Sequence, residues 1–335
     1  MNNPLSMPHI RRITVAGLSR TLLLALSMLT LLPACSDDED NTVATPASPD
    51  KITVPQAALS PEGIQYDEAN RRFFVSSRTQ GRIGTVKDDS TYTQFADDAR
   101  LVSTIGLNLD ANRQRLLVAV SDNGANTSRS SAATRQKLAA LAIYNTNNGT
   151  LSNFVDLGGL RPTQNHFAND IAVDSQGNAY ITDSLSPIIY KVDTQGNASV
   201  FLENAQLAAS SGFGLNGIVF HPDGYLLVAR SNDGTLFKVP LSTPANFSRV
   251  TTTQSLVGAD GLLLVDNQTL LLVAGSQSTV FRLASTDAWV TANRTGSFAT
   301  GAVSPTTITR RTMDAYVLYP YQATSPRFAI TKVKF

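Results

Sequence analysis

The chain has 335 residues, with 27 Lys and Arg against 26 Asp and Glu, one cysteine, and 42% hydrophobic residues. A formal charge of +1 with scattered basic residues gives no basic face for nucleic acid, and a lone cysteine excludes an intramolecular disulfide. Stability must come from packing.

Residues 1–35 read as an export signal. Arg11, Arg12 and Arg20 flank the apolar run TLLLALSMLTLLPA, which is short for a membrane span and ends just before Cys35. The stretch LLPAC resembles the lipobox of bacterial lipoproteins, which implies cleavage before Cys35 and a lipid anchor on its sulfur. The partner implied is a lipid bilayer, and the location the cell envelope, at the outer membrane. A plain secretory signal ending near Ala34 is the alternative, and Arg11-Arg12 also fits twin-arginine export. Residues 36–50, SDDED and then NTVATPASPD, have no hydrophobic period and read as a disordered polar tether. An acidic run in this place resembles the surface-export signal of some outer-membrane lipoproteins.

From residue 51 to 335 one pattern recurs. Copies open at Glu62, Ile105, Asn169, Asn216, Asp260 and near Thr306. Each holds a short strand, a turn, a second strand ending in small or polar residues, and a third strand such as RIGTV, IIYKV or LFKV. A fourth follows as TYTQFAD, TLSNFVD, NASVFLE, FSRVTT or GSFAT. The expected fold is therefore all-β, a six-bladed β-propeller with four-stranded antiparallel blades, which closes without leaving a long sheet edge. The last copy stops at its third strand, FAITKVKF, and KITV at residues 51–54 can supply the fourth.

In a propeller the first strands surround the axis, so the opening residues converge on one ring. Four of these six positions, Glu62, Asn169, Asn216 and Asp260, offer carboxylate or amide oxygen. Such all-oxygen ligation favours calcium, then magnesium or manganese. Strand starts also use Asn and Asp to satisfy turns, which is the alternative reading. Strict alternation turns Asp170 away from Asn169, into a supporting role.

At Glu62-Gly63, Asn169-Asp170, Asn216-Gly217 and Asp260-Gly261 the chain resembles the senescence-marker-protein/gluconolactonase superfamily, with paraoxonases, diisopropyl-fluorophosphatase and strictosidine-synthase-like proteins as relatives. The resemblance implies a catalytic calcium held by Glu62, Asn169, Asn216 and Asp260, and hydrolysis of a lactone, an ester or an organophosphate. The chain departs from the paraoxonase pattern at Ser121-Asp122, where no histidine stands, and lacks a gluconolactonase-type Arg-x-Asn pair.

The loops after the second strands overhang the same face and present Arg78, Asn123, Asp183 and Arg230 as candidates for substrate binding. Asp260 is the first candidate for the base that accepts a proton from water, with Asp170, Asp122 and His166 as others. The insertion DNGANTSRSSAATRQK, residues 122–137, reads as a lid or rim, Tyr319 and Tyr321 as lining of the mouth, and His221 as structural. The competing function is a non-enzymatic propeller that binds a ligand or protein and uses calcium only to hold its blades. No protein partner is identifiable from the sequence.

Overall fold

A computed structural model describes residues 48–321 and 325–335. The export signal, Cys35 and most of the tether lie outside the described residues. The chain from Ala47 to Phe335 forms one unit, and its described residues contain strands and 3-10 turns but no α-helix.

After β1 (Lys51–Val54) come successive antiparallel meanders. The first is β2 (Ile64–Asp67), β3 (Arg72–Val75), β4 (Arg82–Val86) and β5 (Tyr92–Asp97). The next is β6 (Ser103–Asp110), β7 (Arg115–Ser121), β8 (Ala139–Asn145) and β9 (Leu151–Asp156), followed by β10 (Ala168–Val173), β11 (Ala179–Asp183), β12 (Ile188–Val192) and β13 (Ala198–Glu203). Then follow β14 (Leu215–His221), β15 (Tyr225–Arg230), β16 (Thr235–Pro240) and β17 (Ser248–Thr252), and β18 (Ala259–Asp266), β19 (Thr269–Ala274), β20 (Thr279–Ala284) and β21 (Thr291–Ala299). The chain ends with β22 (Ile308–Arg311), β23 (Asp314–Tyr319) and β24 (Phe328–Lys332). β1 pairs with β24, from Lys51 opposite Thr331 to Val54 opposite Phe328, so both ends of the unit share one sheet.

Burial explains the composition of the strands. β15 and β19 are buried along their whole length and read as near-continuous apolar runs, YLLVAR and TLLLVA, because both of their faces meet protein. The outer strands β5, β9 and β13 keep exposed positions and mix polar with apolar residues. The apolar faces meet between consecutive meanders. One cluster joins β7 and β8 to β11 and β12 through Leu117, Leu141, Ile181 and Tyr190; another joins β1, β23 and β24 to β2 and β3 through Ile52, Val54, Phe73 and Leu318. The first strands neighbour one another in a circuit, β2 to β6, β10, β14, β18 and β22 and back to β2.

The meanders β14–β17 and β18–β21 are merged into one eight-stranded sheet by a short parallel pairing, Thr251 and Thr252 against Thr291 and Ala292. Periodicity gave no sign of this merger. Fully buried Trp289 accounts for it. Its backbone N–H donates to Ser285 Oγ at 2.8 Å and its indole N–H to the Asn267 carbonyl at 3.0 Å. With Trp289 anchored, Thr251 N–H donates to the carbonyl of neighbouring Val290, and β21 starts alongside β17.

Candidate functional site

Three of the four opening dipeptides sit at irregularities in the ladder. Register breaks between Ala168 and Ile171 in β10, between Leu215 and Ile218 in β14, and between Ala259 and Leu262 in β18. A bulge sets two residues against one and bends the strand, so alternation no longer separates neighbouring side chains. This corrects the reading of Asp170 as turned away. Its carboxylate is close enough to Asp260 to raise that group's pKa, and Glu62 raises Asp170 in turn.

The glycines of the dipeptides make room for this crowding. A Cβ on Gly217 would fall 2.1 Å from the Asp260 carbonyl oxygen. A Cβ on Gly106 would fall 2.3 Å from the Asn169 carbonyl oxygen and 2.9 Å from Asp170 Oδ1, so the missing side chain at 106 houses the carboxylate at 170. In β10 the position that is glycine in β6, β14 and β18 carries a carboxylate.

Three acids therefore share one electrostatic environment. Burial raises Asp170 from 3.8 to about 7; the N–H groups of Ile171 and Ile218, donating to it at 2.9 and 3.4 Å, oppose the rise and Glu62 adds to it. Burial also raises Glu62, against Arg78, whose guanidinium lies 3.8 Å away. Asp260 is pushed well above the usual carboxylate range by burial, then by Glu62 and Asp170, against the Asn216 amide that donates to it and against Arg78. Asn169 Nδ2 donates to Ser184 Oγ at 2.8 Å. Arg78 Nε is buried without a hydrogen-bond partner.

Small hydroxyls hold this geometry. Ser76 Oγ accepts from the N–H groups of Glu62 and Gly63 at 3.1 and 2.7 Å. Thr182 Oγ1 accepts from Asp170 N–H at 3.1 Å and donates to the Asn216 carbonyl at 2.7 Å, and Ser121 Oγ donates to the Ala168 carbonyl at 2.8 Å. Each satisfies backbone groups that have no partner in the ladder. Their sequence signal was the Ser or Thr recurring at the ends of second strands.

A cavity of about 820 Å³ opens over Glu62, Asp260 and Arg78, and its wall includes Val303, Pro305 and Tyr321. Among the described residues none from β6 to β13 lines it. Asp170 lines a separate cavity of about 400 Å³, together with Asn108, Ile218 and Thr309.

A family model described as the SMP-30/Gluconolactonase/LRE-like region matches residues 60–303, most of the chain. The chain belongs to this family. Comparison with curated protein sequences found no match. The solved structures similar to it include the major allergen Mala s 1 of Malassezia sympodialis, at 19% identity and TM-score 0.71, covering 86% of this chain and 97% of that one. A gluconolactonase from Xanthomonas campestris is 16% identical with TM-score 0.59, covering 85% and 89%, and a calcium-binding regucalcin from Agrobacterium tumefaciens is 16% identical with TM-score 0.60, covering 84% and 94%. At these identities the likeness is one of fold, the β-propeller of the SMP-30/gluconolactonase family.

Several residues expected at the site from their loop positions are committed elsewhere. His166 is buried with Nδ1 2.8 Å from Asp183 Oδ2 and Nε2 2.8 Å from the Arg161 carbonyl, and it does not line the cavity of Glu62 and Asp260. Asp183 also accepts from the N–H groups of Phe167, Leu185 and Ser186. Asp122 accepts from Gly124 N–H, Ser130 Oγ and Thr134 Oγ1, and Asn123 accepts from Ala125 N–H, so both brace the insertion. Arg230 pairs with Asp233 at 2.6 Å and donates to the carbonyls of Gln206 and Ala208. The insertion at 122–137, expected as a lid or rim, does not line that cavity. Its Arg129 donates to the carbonyls of Gly81, Asp98 and Leu101. The rim comes from residues 302–306 with Pro320, Tyr321, Ser325 and Pro326, while Tyr319 packs into the core.

Proposed function

We propose that the chain is a calcium-dependent hydrolase of lactones or esters, with phosphotriesters as a further class, working in the cavity over Glu62 and Asp260. The reading takes the six strand sets as six four-stranded blades around one axis. The observation that carries it is the convergence of Glu62, Asp170 and Asp260, three half-buried carboxylates of which Glu62 raises the proton affinity of Asp170, and both raise that of Asp260, with Arg78 as the neighbouring cation.

Among the described residues no group of three or more His, Cys, Asp or Glu is arranged to hold a metal. The donor set fits a hard cation only when amide oxygens are counted, with Glu62, Asn169, Asn216 and Asp260 as the holders. Calcium bound there would supply a Lewis acid for the acyl oxygen of the substrate. The rest falls to side chains. Asp260, on the cavity wall, is placed to accept a proton from attacking water, and Asp170 behind it, with a pKa raised to about 7, can share that proton near neutrality. Arg78, on the same wall, can meet an acceptor on the substrate with its guanidinium.

A second reading is a ligand-binding platform without turnover. It is favoured by the ion pair of Arg78 with Glu62, an internal cation, and by the commitment of Asp122, Asn123, Asp183 and Arg230 to structural bonds. For location we propose an exported lipoprotein, anchored through Cys35 to the bilayer of the cell envelope.

The experiment is a screen of the detergent-solubilised chain against lactones, aryl esters and phosphotriesters, with and without chelator. Hydrolysis abolished by chelator and lost in Asp260→Asn is the expected result. Calcium binding with no turnover would leave the platform reading.

A further inference from the structure

We propose that Tyr321 is a specificity-determining residue, whose ring, with Val303 and Pro305, forms an apolar subsite for the alkyl or aryl arm of the substrate. The inference rests on the hydrolase reading for the reacting end of that substrate, but not for the subsite itself.

Tyr321 stands at φ +54, a left-handed conformation that glycine adopts freely and a bulky side chain rarely does. Strain of this kind persists only where the surroundings over-determine it. They do so at Tyr321, which packs against two core clusters, one holding Val54 and Phe328 and the other Val317 and Ala329, while also forming cavity wall. The ring is thus held in place before any ligand arrives. Pro320 and Pro326 line the same cavity and add apolar surface with little conformational freedom to lose.

Glu62, Asp260 and Arg78 share that cavity. A ligand filling it must therefore present a polar reacting group and an apolar arm together. Ser60, Ser231, Ser276, Ser304, Thr306 and Ser325 also line the cavity and can meet polar groups of a ligand. An arm set directly against Val303, Pro305 and the Tyr321 face gains more by being apolar, since a hydroxyl there loses water. The subsite thus favours lactones and esters that carry an alkyl or aryl arm on the side of Tyr321.

Lactams, which resist hydrolysis, separate binding from turnover. A γ-lactam with a hexyl arm and a polyhydroxylated lactam of equal ring size are titrated by calorimetry into the full chain with calcium. The hexyl lactam should bind at least about tenfold more tightly, and Tyr321→Phe should preserve this. Tyr321→Gly, which suits the backbone, should weaken the hexyl lactam about tenfold and leave the polyhydroxylated lactam unaffected. Should that variant unfold, Val303→Ser on the neighbouring segment must produce the same selective loss. Equal affinity for the two lactams, no binding of either, or full affinity in the folded variants overturns the subsite. Selective binding without hydrolysis of any lactone leaves the subsite standing and removes the hydrolase reading.

Discussion

Replacing Asp170 by Asn should stabilise the metal-free protein at alkaline pH and destabilise it slightly in acid. In the folded state burial raises the pKa of Asp170 from 3.8 to about 7, so folding favours its protonated form. Below about pH 4 both the folded and the unfolded chain hold the proton, and ionisation contributes nothing. As pH rises from about 4 to 7 the unfolded chain releases it first, and the folded state loses stability; above about 7 the penalty is constant. A rise of this size corresponds to about 4 kcal/mol, and channel water reaching Asp170 screens part of it, leaving a penalty on the order of 2–4 kcal/mol. The neutral amide of the Asp170→Asn variant would carry no such penalty but would accept one N–H, from Ile171 or Ile218, less well, a loss of about 1 kcal/mol. Urea unfolding in chelator from pH 4 to 9 measures the balance. The variant should be less stable than the parent near pH 4, equal it on the way to neutrality, and exceed it by about 1–3 kcal/mol at pH 8. A stability difference that does not change with pH would refute the reasoning.

Thr182→Val removes the hydroxyl that accepts from Asp170 N–H and donates to the Asn216 carbonyl, leaving two backbone groups without it. A loss of about 1–3 kcal/mol is expected in thermal unfolding, together with weaker calcium binding in titration, because the hydroxyl spans two of the strands that carry the site. Burial lowers the pKa of His166, but its bonds to Asp183 and the Arg161 carbonyl outweigh this and raise it, so its contribution to stability is present below about pH 6.5 and fades as pH rises through the raised value. His166→Phe should cost more stability at pH 6 than at pH 9, and an equal loss at both would show that the ring acts by packing alone.

The repeat was legible in the chain because every copy solves the same burial problem. RIGTV, YTQFAD and FAITK became β4, β5 and β24, and KITV became the β1 that closes onto β24. The ring of opening residues could also be read, since Asn and Asp at the start of an apolar strand demand a reason. The merger of β17 with β21 could not, because it depends on Trp289 packing in a loop outside the repeat.

The sequence by itself determined which oxygen-bearing residues stand at equivalent positions, since local periodicity is a property of neighbours along the chain. Only the tertiary structure decided where those side chains point. Bulges at the opening dipeptides brought Asp170 toward Asp260, against strict alternation. Contacts between distant segments likewise assigned the cavity wall to Val303 and Tyr321 and took His166, Asp122 and Arg230 out of it. Long-range packing and desolvation set those outcomes, and neither acts between residues adjacent in sequence alone.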